Sequence, residues 1–256
     1  MGNVLILPRM QSAATVADRG SGVANLLTPS PKEVWVDTVD GSTVGINVNF
    51  DKQVVVDTVF LGFVSPPAAG ATWQGMGSNP SGPVSTLFNS RTLRAVDSAS
   101  RAPARTHALW TGTAQAIRYL RIELSQPAGA GPLSAGIVMA GKAWRPGFNM
   151  EFGNGRRVID TGTVAQLPDG GFATMEGARK RSFEWTLGDL TRAETDELEE
   201  LLLDHGETVP LLVVEDPDAT TGQRNRIHYG LFTGLKAYER ANAVQTKWSF
   251  SFEEWI

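Results

Sequence analysis

Two tryptophans are the side chains best placed by their sequence surroundings to touch a ligand. Trp73 stands in a Gly- and Pro-rich stretch over residues 65–83, and Trp110 comes just ahead of an apolar alternation near Arg118. The flat apolar face of a pyranose fits an indole ring, so loop tryptophans are candidates for binding a glycan. The plainer assignment is that each plugs an end of a β-sandwich or packs on a neighbour. Trp35, Trp185 and Trp248 lie in strand patterns and read as core or subunit-interface groups.

Groups for bond-breaking chemistry are thinly spread. The neighbouring carboxylates Glu199-Glu200 and Glu253-Glu254 point to different faces, whereas glycoside hydrolysis needs two carboxyls converging across a cleft within about 5–10 Å. His107, His205 and His228 share no metal-ligand spacing. His205 beside Gly206 suits a helix end, where a cation favours the dipole. Asp216-Pro-Asp218 opens like a calcium loop, but Thr221 stands where the sharp turn needs Gly, and Ile227 stands where the bidentate Glu belongs. Gly153-Asn-Gly155 starts a dinucleotide-type spacing that Val158 ends, leaving a hairpin turn. No Gly-x-Ser-x-Gly elbow occurs. With no cysteine at all, disulfides, thiolate metal sites and a cysteine nucleophile are excluded. The expectation is a chain with no catalytic residue, metal or cofactor.

A formal charge of −4 over 256 residues argues against general nucleic-acid binding. The basic clusters Arg156-Arg157 and Arg179-Lys180-Arg181 read as solvated loop charge. No apolar run reaches the roughly 20 residues of a membrane span. Val4-Leu-Ile-Leu7 is short for a secretory signal, so the expected start of the mature chain is near Met1, with folding in the cytoplasm.

The elements that would position these groups are mostly strands. Gln11 to Ala24 is rich in small residues and reads as a loop or an extended arm. Val44, Ile46, Val48 and Phe50 alternate with small or polar residues, a half-buried strand, and Val59, Leu61 and Phe63 continue the period after an Asp51-Lys52 turn. Residues 65–83 read as a long loop. Strands return at Ile117 to Leu124 and at Ile137 to Met139, and Gly141, Pro146 and Gly147 mark a domain boundary. Beyond it, Thr191-Arg-Ala-Glu194 is a capping box, Leu198, Leu201 and Leu202 mark one helical face, and Gly206 supplies the stop, which predicts a helix over 192–204. Strands are expected at Thr208 to Glu215, Arg226 to Thr233 and Lys247 to Trp255, the last alternating Trp248, Phe250 and Phe252 against polar residues.

Several segments resemble known families. Asn25-Leu-Leu-Thr-Pro-Ser-Pro-Lys-Glu-Val-Trp35, Val44 to Phe50 with Val56-Asp-Thr-Val-Phe-Leu-Gly62, and Arg118-Tyr-Leu-Arg-Ile-Glu-Leu124 resemble, in order and spacing, the galactose-binding-like (discoidin-type) β-sandwich. Where such domains often carry an asparagine turn, this chain has Phe63-Val-Ser-Pro-Pro67. Trp185-Thr-Leu187, Leu190-Thr-Arg-Ala-Glu194, Val209 to Asp216 and Trp248 to Trp255 resemble the tail-tube-derived domain of siphophage distal and minor tail proteins. The resemblance implies a mainly β chain: an N-terminal arm or first strand (1–24), a jelly-roll-like β-sandwich (25–143), and a tail-tube-like β domain with one short α-helix (144–256). It also implies a structural component of a bacteriophage tail, in the distal tail or baseplate hub, assembled in the host cytoplasm. Its partners would be copies of itself in a ring (a trimer or hexamer) and other tail proteins, namely tube, hub and tape measure. The alternative is a carbohydrate-binding module for host surface glycans, using Trp73 and Trp110. A weaker third reading is an esterase accessory domain.

Overall fold

In the computed structural model the described residues are 2–10, 13–65, 68–80, 82–93, 106–219, 223–240, 242 and 244–256. The fold is mainly β, with one α-helix among the described residues. No helix among the described residues is long and apolar enough to cross a membrane. The chain divides into two compact units, Met1–Arg145 with Leu211–His228, and Pro146–Pro210 with Tyr229–Ile256. Residues 211–228 group with the first unit, where the sequence reading kept all of 144–256 together.

In the first unit, the predicted alternation at Val44, Ile46, Val48 and Phe50 opens a strand that runs on through Thr43–Val64. The expected turn at Asp51 is a bulge: Asp51 has a positive φ, and pairing with Thr106–Ser125 slips between Asn49 and Val54 without ending. The sheet order is Ala14–Ala17, Thr43–Val64, Thr106–Ser125, Thr72–Ser78, Ser85–Thr92, and Ile137–Gly141 adds on the second half of Thr43–Val64. Inward side chains from both halves of the long strands meet in one core with Leu26, Trp35, Phe88 and Leu133.

Two expectations fail here. Ala14–Ala17 is a strand paired to Ile46–Asn49 within the unit, so that part of the stretch is neither loop nor arm; Gln11 and Ser12 lie outside the described residues. The supposed loop over 65–83 contains the strand Thr72–Ser78, whose inward positions are Trp73, Gly75 and Gly77. A Cβ on Gly75 would sit 2.2 Å from the Phe88 ring, and one on Gly77 2.6 Å from Ile117. Neighbouring side chains fill the space the glycines leave, so this strand carries no apolar alternation of its own. Pro66, Pro67 and Ser81 lie outside the described residues. Leu5–Leu7 pairs antiparallel with Leu211–Val214, and Ile6 exchanges backbone hydrogen bonds with Trp144.

In the second unit, the strand Arg179–Thr191 lies between Gln245–Glu254 and Gly155–Asp160. Beyond Gln245–Glu254 lies Ile227–Leu235, which belongs to this unit from Tyr229 onward. Opposed pairs put Phe183, Trp185, Leu187, Trp248, Phe250 and Phe252 on one buried face, while Thr186 and Ser249 hydrogen-bond on the other. That is the expected period of two with one wet side. The helix Arg192–His205 is one residue longer than expected. Its box forms as predicted: the Thr191 hydroxyl accepts from Glu194 N–H at 3.3 Å, and the Glu194 carboxylate accepts from Thr191 N–H at 2.8 Å. Gly206, at φ 55°, ends the helix and donates to the Leu202 carbonyl. Leu198 and Leu202 are buried, together with Thr195 and His205 in place of Leu201.

Candidate assembly surface

The second unit carries a hairpin that belongs to no larger sheet. Thr163–Gln166 pairs only with Phe172–Met175 among the described residues, and all eight positions are exposed. The Leu167–Gly171 turn closes it, with Leu167 N–H on the Gly171 carbonyl and Gly170 at φ 87°. Its root is built from glycines. Thr161 N–H donates to the Ala178 carbonyl, Asp160 accepts from Gly162 N–H, and a Cβ on Gly177 would lie 2.0 Å from the Gly162 nitrogen. The two strands therefore run close at Gly162 and Gly177 before separating from the sheet.

Opposed residues share a face, so Thr163, Met175, Ala165 and Ala173 form one side of this arm, and Val164, Thr174, Gln166 and Phe172 the other. Phe172 and Val164 are both 68% exposed, and Met175 67%. Neither strand carries a charge or a proline, the devices that normally blunt an open edge. A lone two-stranded hairpin is marginal in water. This one keeps large apolar groups on both sides.

Beside the root lies a groove of about 330 Å³, with Ala178, Leu231, Trp255 and Ile256 among its walls and Lys180 paired to Glu253 at its edge. Gly155–Asp160 is the outer strand of the sheet among the described residues, and its Val158 is solvent-exposed. Sequence reasoning passed over the arm. The signal was present: Pro168-Asp-Gly-Gly171 is turn chemistry between two short runs, but those runs lack the apolar alternation that marks a buried face.

The tryptophans singled out from the sequence sit elsewhere. Trp73 is 2% exposed and Trp110 3%, both inside strands of the sandwich. Phe88 lies between them, 4.6 Å from the Trp73 ring and stacked 5.1 Å from Trp110. Buried in the core beside Phe88, they have no surface to offer a sugar, which corrects the expected loop placement.

The charged candidates are paired. The basic residues expected in loops are in strands: Arg179 meets Asp160 at 2.9 Å, Lys180 meets Glu253, Arg181 meets Glu254, and Arg156 lies over the Phe183 ring. The Glu253-Glu254 carboxylates thus face cations on the adjacent strand. His205 Nδ1 lies 3.0 Å from the Leu201 carbonyl, His107 Nδ1 accepts from Phe63 N–H, and His228 Nε2 lies 3.1 Å from Glu215. Asp216 accepts from Gly2 N–H, and Thr221 falls outside the described residues. No group of three or more His, Asp or Glu side chains among the described residues is placed to hold a metal ion.

The sandwich also carries a polar network that the sequence did not reveal. Arg121 forks onto Asp18 at 2.7 and 3.1 Å, meets Glu123 at 2.9 Å and donates to Asn47, and Gln74 donates to Glu123. Gly45 makes this possible, since a Cβ there would stand 2.3 Å from the guanidinium carbon. The Arg121 hydrogen bonds hold both the Asp18 and the Glu123 carboxyls below the usual range; the Gly45 amide assists at Asp18 and Gln74 at Glu123.

No family model and no curated protein matches the chain. Among solved structures it is similar to chitosan-binding module 1 of a chitosanase/glucanase from Paenibacillus sp. IK-5, at 17% identity, over 53% of this chain and 98% of that one, with a TM-score of 0.42. It is similar to chitosan-binding module 2 of the same enzyme, in complex with chitotriose, at 16% identity over 52% and 98%, TM-score 0.42. A family 32 carbohydrate-binding module of C. perfringens NanJ, in complex with galactose, is 10% identical over 53% and 98%, TM-score 0.42. At such identities and scores these likenesses carry no argument.

Proposed function

We propose that this chain is a non-catalytic assembly subunit whose second unit joins copies into a ring, a trimer or hexamer, as a distal or minor tail component of a bacteriophage particle. The observation that carries the reading is the arm over 163–175, apolar on both sides, uncharged along both strands and standing outside every larger sheet. Free energy favours covering such a surface, and a repeated contact between unlike patches closes into a ring when its rotation allows. The phage context rests on the sequence resemblance around Trp185, Thr191 to Glu194 and Trp248 to Trp255. Sedimentation velocity over a wide concentration range tests the assembly reading: it expects a closed oligomer, and a monomer at every concentration overturns it. Electron microscopy of the tail, with the chain labelled, tests its place in the particle.

A second reading is glycan binding by the sandwich. It draws on the network of Asn47, Gln74, Arg121 and Glu123 on one side of the six-stranded sheet, whose amide, guanidinium and carboxylate groups suit sugar hydroxyls. A glycan array with the wild type and Arg121→Ala tests it: reproducible binding lost in the variant supports this reading, and silence removes it.

A further inference from the structure

We propose that Asn154 is a modification site, at which the chain converts its own side-chain amide to a carboxylate through a cyclic imide formed with Gly155. Three steps in the sequence place Asp or Asn before Gly: Asp40-Gly41, Asn154-Gly155 and Asp169-Gly170. At the two aspartates the side chain is engaged. Asp40 accepts from Gly131 N–H at 2.8 Å, with Gly41 packed on the Ala128 backbone, and Asp169 accepts from Gly171 N–H at 2.9 Å. An ionised carboxylate is also a poor electrophile. Asn154 differs on each count. It is a neutral amide, it is exposed, and its one side-chain hydrogen bond among the described residues is the long contact from Nδ2 to Met150 Sδ at 3.8 Å.

The backbone on either side leaves the ring free to close. Gly153 turns the chain at φ 101°, and a Cβ on Gly153 or Gly155 would meet nothing within 4 Å. Gly155 is the first residue of its strand, opposite Glu184, and that strand is the outer one of its sheet among the described residues. Opening this single end pair, where local unfolding costs least, frees the Gly155 nitrogen. The nitrogen then attacks Asn154 Cγ. A new N–C bond forms as the Cγ–Nδ2 bond breaks, and ammonia leaves with the Gly155 amide proton. Water adds to one of the two imide carbonyls, giving aspartate or isoaspartate. The new carboxylate lies on a groove that Glu151 and Glu184 also line, and isoaspartate adds a main-chain carbon just ahead of the pairing with Glu184. Both changes weaken the pairing of Gly155–Asp160 with Arg179–Thr191.

The test ages the native full-length protein in mildly alkaline buffer and follows each asparagine by peptide mapping with mass spectrometry. Aspartate and isoaspartate are expected at Asn154 at least tenfold faster than at Asn242, which is also exposed but precedes Ala243 and accepts from Val244 and Gln245 N–H. Gly155→Val is expected to slow conversion at Asn154 at least tenfold. Its side chain enters open space and the φ at this position is not positive, so the melting temperature should hold. The urea-unfolded chain, aged alongside, gives the rate without the fold. A native rate at Asn154 no greater than at Asn242, or more than tenfold below that of the unfolded chain, overturns the site. A Gly155→Val variant that stays folded and converts as fast as wild type overturns the imide route.

Discussion

Replacing Trp73 with alanine separates a core residue from a ligand-binding one. The ring is almost wholly buried and tilted against Phe88, whose other face stacks on Trp110. Burial of an indole removes about 200 Å² from water, or roughly 5 kcal/mol at 25 cal/mol per Å², and Trp→Ala in cores costs about 3–5 kcal/mol. Alanine also leaves a void between Phe88 and the sheet that Gly75, with no side chain, cannot fill. A loss of about 4 kcal/mol is a large share of the 5–15 kcal/mol that usually holds a domain together. At about 2–4 °C per kcal/mol for a unit of this size, the sandwich transition should fall by about 8–16 °C in scanning calorimetry. Trp73→Phe, which keeps a ring against Phe88, should recover much of the loss. Were Trp73 an exposed stacking residue, the change would stay within about 0.5 kcal/mol. A Trp73→Ala variant melting within about 2 °C of wild type would refute the core placement.

Further outcomes follow from other contacts. Thr191→Ala removes one half of the capping box and should cost about 1 kcal/mol in urea unfolding, with Thr191→Ser close to neutral. The Asp18 and Glu123 carboxyls are lowered in the fold, so their stabilisation is complete above the unfolded value near 4 and is lost as pH falls through the folded values. Arg121→Met should therefore flatten the acid limb of the stability curve below about pH 4, by about 0.5 kcal/mol because the groups are partly exposed. A Gly177→Val side chain would collide with the Gly162 backbone, so amide exchange across 163–175 should quicken while the sheet core keeps its protection.

The local grammar of the chain was legible wherever one residue's chemistry settles its neighbours. Thr191, Glu194 and Gly206 specify both ends of the helix, because cap hydrogen bonds join groups within three or four residues. Val44 to Phe50 and Trp248 to Phe252 reveal their strands, because a half-buried strand repeats every two residues. Strands whose inward positions are small were not legible. At Gly75 and Gly77 the volume is supplied by Phe88 and Ile117, which come from other strands. The same holds for the partners of Glu253 and Glu254, and for Arg121 passing over Gly45 to reach Asp18, 103 residues away.

Sequence by itself determined the mainly β character, the capped helix and the strand alternations at Val44 to Phe50 and Trp248 to Phe252. Tertiary structure decided what each tryptophan faces and which surface stays uncovered. Burial is a property of neighbours brought together from distant positions, so Trp73 read as a loop residue until Phe88 closed over it. The arm over 163–175 looked ordinary in sequence, because a strand that leaves its sheet has the same composition as one that stays. Only the pairing pattern shows that its apolar side chains meet water on both sides.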